Sequence, residues 1–173
     1  ASDGSHVGIG KPVTLEQKTI AAIARVCKKW DGSKKFLPTS ASGPRELVDE
    51  KDYGKGLHHD VHGPWNITGS WKEWERYWAN DDALFRSEVG VPSISSSKIL
   101  RKYAGGEKLW PPKRETRFWR FRGDEWIQWD QLSAVYSFSE ERDELNRYAK
   151  VSRDRQARAL AIAARACKSR FPR

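Results

Sequence analysis

The chain has 173 residues, 38% of them apolar, 12% aromatic and 32% charged, with a formal net charge of +9. No stretch approaches the ~18 apolar residues of a membrane-spanning helix, and nine Trp, five Tyr and six Phe argue against wholesale disorder, since such side chains need burial or a ligand. The two cysteines, Cys27 and Cys167, are too few for a disulfide framework or a four-thiolate zinc site.

Residues 1–12 are small and polar and read as linker-like. Thr14 and Gln17 have capping-box spacing. Ile20, Ile23, Ala24, Cys27 and Trp30 follow at helical period, predicting a helix that ends by Asp31-Gly32. Cys27 and Cys167 both fall in helix-like segments among alanines, so buried free thiols are expected rather than a bridge. Residues 35–40 predict a short strand, stopped by Ser42-Gly43-Pro44, and 44–55 are charged and loop-like. Residues 56–62 predict a second strand, broken by Gly63-Pro64-Trp65-Asn66. Ser70 and Glu73 form another capping box ahead of a helix that carries Trp71, Trp74, Tyr77 and Trp78 on one face and closes at Asn80-Asp81-Asp82. Residues 83–88 predict a third strand, ended by Gly90 and Pro92. Residues 93–135 read as one long loop bearing Trp110, Trp119, Trp126 and Trp129. Ser137 and Glu140 give a third capping box. The apolar pattern from Leu145 to Cys167 then predicts a helical region split in two near Lys150-Val151-Ser152. Strands alternating with helices predict an α/β fold with a parallel sheet.

Charge bears on partners. A basic balance invites a nucleic-acid hypothesis. Residues 151–173, however, hold seven basic side chains against Asp154, arranged so that an alanine-rich stripe stays free. That is the pattern of a solvated helix face, and nucleic acid is not the expected partner. His58, His59 and His62 lie near Asp60, but alternation along a strand points His58 and Asp60 one way and His59 the other. They do not share a face as metal ligands must, and neither metal nor cofactor is expected. Polar residues at predicted strand ends are the chemical candidates: Thr39-Ser40, Asp60 with His62, and Ser87-Glu88. A carboxylate directly after Leu84-Phe85 and before a glycine stands out, although a surface Glu at a turn reads the same way.

The segment Phe85-Arg86-Ser87-Glu88-Val89-Gly90, followed by Ser93, Ser96 and Leu100, resembles the nucleophile segment of glycoside hydrolase family 2, in its β-mannosidase-like branch. Asp60-Val61-His62-Gly63-Pro64-Trp65 resembles that family's sixth-strand motif. Leu37-Pro38-Thr39-Ser40-Ala41-Ser42-Gly43 resembles its fifth strand. The motifs occur in family order, over roughly residues 13–173. The resemblance implies a partial (β/α)8 barrel, with parallel strands five to seven and flanking helices, as a single segment over 1–173. It implies a retaining glycosidase with Glu88 as nucleophile. Asp60, His62, Trp65, Ser40 and Ser87 would contact an oligosaccharide or glycoside substrate. Two departures stand against the pattern: Val89 replaces a frequent aromatic, and the family's Asn-Glu acid/base pair occurs nowhere in the chain. The resemblance thus implies a fragment or subunit that holds the nucleophile, acts only with the remainder of the barrel, and is inactive alone. It also implies a secreted, periplasmic or lysosomal setting, which the cysteines leave undetermined. The alternative is a non-catalytic module that binds carbohydrate or nucleic acid through the Trp/Arg-rich stretch 93–135, with Arg114, Arg117, Arg120 and Arg122 among its tryptophans. Those tryptophans serve equally as an outer sugar subsite or as packing for the loop.

Overall fold

The computed structural model describes residues 13–67 and 69–170; the linker-like stretch 1–12 lies outside them. In order, it contains α1 (Lys18–Trp30), a 3-10 turn (Glu50–Asp52), β1 (Asp60–His62), α2 (Trp71–Asn80), β2 (Phe85–Glu88), α3 (Ser97–Tyr103), α4 (Asp124–Ile127), α5 (Trp129–Tyr136) and α6 (Leu145–Ser169). β1 and β2 form a two-stranded parallel sheet. Among the described residues, no helix is long and apolar enough to cross a membrane.

The partial barrel with strands five to seven is not what this sequence forms. A βαβ unit is present, but residues 35–40 make no strand. Pro38 supplies no N–H for a ladder, and the polar groups that follow are used locally: the Ser42 hydroxyl donates to Thr39 O at 2.7 Å. Among the described residues, only isolated bridges reach β1 from that side, Gly43 to Asp60 antiparallel and Leu47 to His62 parallel. Parallel sheets are stable when flanked and covered, and two short strands do not amount to an arc of a barrel.

The described residues divide into two compact units, residues 13–64 with 76–89, and residues 65–67 and 69–75 with 90–170. In the first, α1 leaves Ile23, Val26 and Trp30 exposed, and Cys27 is an exposed thiol rather than a buried one. The ordering centre of this unit is Arg86. Its guanidinium bonds the Asp81 carboxylate through two nitrogens, at 2.7 and 3.2 Å. It also donates to the Tyr77 hydroxyl at 2.8 Å and to Gly63 O, and lies 4.8 Å from the centre of the Trp78 ring. The pair is sealed from solvent, with side-chain exposures of 7% and 1%. Burial alone lowers the pKa of Arg86, but the hydrogen bond and charge of Asp81 outweigh it and hold it raised. A neighbouring anchor fastens the start of β1. The buried His58 ring accepts the Asp49 N–H at Nε2, 3.3 Å away, so its Nδ1 carries the proton donated to Asp82 at 2.6 Å.

The second unit is built on aromatic rings. Trp110, Trp129, Phe138 and Tyr148 pack edge-on or tilted, with centroids 5.1 to 6.2 Å apart. Four aromatic side chains of this unit donate to backbone carbonyls: Trp110 to Ser139, Trp119 to Leu109, Tyr148 to Ile127 and Trp74 to Ala159. The segment expected as one long loop therefore holds α3, α4 and α5, and Trp110 and Trp119 are core residues. α6 runs unbroken. Ser152, where a split was expected, is fully buried and takes the Ile94 N–H at 3.2 Å, so it joins α6 to the chain before α3 instead of interrupting it. Cys167 is exposed. The capping box before α2 forms, with the Glu73 carboxylate taking the Ser70 N–H at 2.6 Å and the Ser70 hydroxyl accepting the Glu73 N–H at 3.3 Å. Ser137 and Glu140 make none; Glu140 pairs with Lys113.

Removing one partner of a buried ion pair leaves an uncompensated charge. Asp81→Ala is expected to cost about 3–5 kcal/mol, and replacing both partners by apolar residues (Asp81→Leu with Arg86→Met) much less. Urea unfolding of the two variants checks this; equal losses would contradict it.

Candidate functional site

The site lies at the carboxyl ends of β1 and β2, where polar side chains can be presented without being buried in the sheet. Asp60 pairs with Phe85 and Val61 with Arg86, but His62 pairs with Glu88. One residue, Ser87, is therefore extra on β2. Side chains alternate along a strand, so uninterrupted pairing would set His62 beside Ser87 and turn Glu88 to the other face. The bulge at Ser87 re-aims Glu88 to the side of His62.

A bulge leaves a backbone N–H without its ladder partner, and Asp60 supplies one. Its Oδ1 accepts the Ser87 N–H at 3.1 Å and its Oδ2 the Ser42 N–H at 2.6 Å. The residue is only 3% exposed. Both oxygens are taken by amide donors, so Asp60 positions the segment 40–43 and the bulge rather than exchanging protons with a ligand. The backbone adds its own ties: Gly43 and Asp60 exchange N–H to O bonds at 3.2 and 3.3 Å, and Gly63 donates to Glu88 O at 2.7 Å.

Three side chains converge as a result. His62 Nε2 lies 2.5 Å from Ser40 Oγ and 3.4 Å from Glu88 Oε2. The imidazole is mostly covered, with 10% of its side chain exposed, whereas the Glu88 carboxylate is 53% exposed and faces outward. Ser, His and Glu are also the residue types of an acyl-transfer triad. In a triad, however, serine and carboxylate occupy opposite ring nitrogens, and here both contacts use Nε2.

The structure thus brings Ser40, Asp60, His62, Ser87 and Glu88 together within the first unit. Ser87 Oγ is buried and has no hydrogen-bond partner. Trp65 groups with the second unit, where it is half-buried. His58 is committed to Asp49 and Asp82, and His59 is exposed. Among the described residues, no group of three or more His, Cys, Asp or Glu side chains is placed to hold a metal ion. Sequence reasoning gave no role to Arg86, which holds Gly63, the residue after His62, through its carbonyl. An arginine inside a strand, five residues after an aspartate, was the available signal. The chain matches no family model, no curated protein and no solved structure.

Asp60→Asn turns an amide NH2 toward an N–H donor. The expected loss is about 1.5–3 kcal/mol, the range for a hydrogen bond to a charged group, with the Ser42 and Ser87 amide resonances moving first. Chemical denaturation and amide NMR read both; unchanged stability would remove Asp60 from its role.

Proposed function

We propose that this chain carries the nucleophile half of a retaining β-glycosidase site, of β-mannosidase-like type, with Glu88 as the attacking carboxylate. The observation that carries the reading is the 3.4 Å approach of Glu88 Oε2 to His62 Nε2 at the shared end of two parallel strands. An exposed carboxylate next to an oriented ring nitrogen is a group that can meet a substrate carbon while its direction is held. The resemblance of residues 85–90 and 60–65 to the family motifs supports the same assignment.

The chemistry proceeds in two steps. An oxygen of Glu88 bonds to the anomeric carbon as the bond from that carbon to the leaving oxygen breaks, and the leaving oxygen takes a proton from a second carboxyl group. Water, deprotonated by that second group, then displaces Glu88 and returns the free sugar. The second carboxyl group must lie about 5–5.5 Å from the nucleophile. Asp60 does not qualify, because its oxygens are occupied by the Ser42 and Ser87 amides. The resemblance places the acid/base in an Asn-Glu pair, which residues 1–173 do not contain, so on this reading it comes from other polypeptide. His62 Nε2 meets Ser40 Oγ at 2.5 Å and lies 3.4 Å from Glu88 Oε2, so the imidazole sits beside the nucleophile as a polar neighbour.

The acid is dispensable when the leaving group departs unaided. The chain should not turn over an alkyl β-mannoside, yet a dinitrophenyl 2-deoxy-2-fluoro-β-mannoside should label it once, at Glu88. Glu88→Gln should abolish the label, and His62→Ala should slow it by about 10-fold or more, the rate effect of 1.4 kcal/mol in the barrier. Peptide mass spectrometry locates the adduct. No adduct, or one that survives Glu88→Gln, would overturn the reading.

A further inference from the structure

The second unit holds a cavity of about 510 Å³ built from residues other than those of the Glu88 site. Pro112 and Ile127 give it buried apolar wall, and the half-buried Trp129 an aromatic one. Two amide side chains, Asn66 and Gln128, also line it. Gln128 is 2% exposed, and its Nε2 donates to Pro92 O at 2.7 Å. That bond settles which end of the amide is which, and it leaves Oε1 without a partner; Asn66 Oδ1 lacks one as well. Gln128 further adopts a left-handed backbone with φ of 59°, which a side chain with a Cβ resists. Buried polar atoms are nearly always hydrogen-bonded, and two orphaned acceptors lining one cavity need an explanation.

Both orphans are acceptors, so an occupant must bring donors. The side chains lining the cavity carry both signs, Arg114 and Lys113 (the latter already paired with Glu140) beside Glu115 and Asp130, so neither a phosphate nor an amine meets a lining of one opposite charge. Hydroxyl groups suit both kinds of neighbour, donating to the amide oxygens and accepting from the cations, and the C–H face of a sugar ring suits the indole. We propose that this cavity binds a neutral saccharide of one or two rings. Both amide oxygens are covered, so a hydroxyl meets them only when these side chains shift, Gln128 giving up its bond to Pro92 O in exchange. The site stands on its own residues and does not rest on the assignment of Glu88.

The test is a titration of the whole chain with mannobiose and with cellobiose, followed by NMR at the Asn66 and Gln128 side-chain amides and the Trp129 indole. Mannose 6-phosphate and glucosamine serve as charged comparators. At least one neutral disaccharide should bind saturably with Kd of about 1 mM or tighter, and Asn66→Ala should weaken it about tenfold or more. Gln128→Leu should act in the same direction. Because it can also disturb folding, Asn66→Ala, at a partly exposed position, carries the decision. Glu88→Gln should leave the affinity unchanged, which separates this site from the other. No saturation up to about 20 mM, shifts confined to His62 and its neighbours, tighter binding of the phosphate or the amine, or an unaltered Kd in Asn66→Ala would each overturn the proposal.

Discussion

Asp60 accepts two backbone N–H groups from separate parts of the chain, and the candidate site depends on that double bond. One donor belongs to Ser42, after the segment that carries Ser40; the other belongs to Ser87, the extra residue of β2. A buried carboxylate is costly unless its lone pairs are used. Here that cost is offset by satisfying two amides that the short sheet leaves over. The consequence is geometric. With Ser87 accommodated, Glu88 comes level with His62, and with Ser42 tied down, Ser40 reaches the same imidazole nitrogen.

Arg86 extends the constraint beneath the strands. It points into the first unit, where Asp81, Tyr77, Trp78 and the Gly63 carbonyl surround it. Asp81 directly follows α2 and Gly63 directly follows β1, so one side chain joins the helix end, the strand end and β2. A two-stranded sheet is marginal by itself. The buried pair gives this one a fixed frame, and the bulge then sets which residues face outward at its end.

The local features were legible and the register was not. Ser70 and Glu73 announce α2 because a capping box needs only four consecutive residues. β1 and β2 fall within the expected strands, shortened to 60–62 and 85–88. The fold drawn from the family motifs failed at 35–40, where Phe36-Leu37 reads as a strand but Pro38 and local hydrogen bonds to the serine-rich turn leave nothing to pair. Residues 93–135 read as loop because α4 and α5 span four and eight residues, too few turns for helical periodicity to emerge. Ser137 and Glu140 mimic a cap, yet α6 starts only at Leu145, with the Asp143 carboxylate taking its N–H at 2.9 Å. For the site, the residue types at 40, 60, 62 and 88 could be listed from the chain. The bulge that aligns two of them could not, since it exists only relative to the partner strand. Gln128 was invisible for a similar reason: the partner of its Nε2 is the Pro92 carbonyl, 36 residues away in the chain.

The most direct measurement is the pair of ring ¹⁵N resonances of His62 in the native chain and in Glu88→Gln, with Glu75→Gln, an exposed change on α2, as control. If β2 bulges at Ser87 as described, removing the charge at position 88 moves the Nε2 resonance of His62 and the control does not. An Nε2 resonance indifferent to Glu88→Gln would mean the two side chains do not meet, and the account of the site would fail with it.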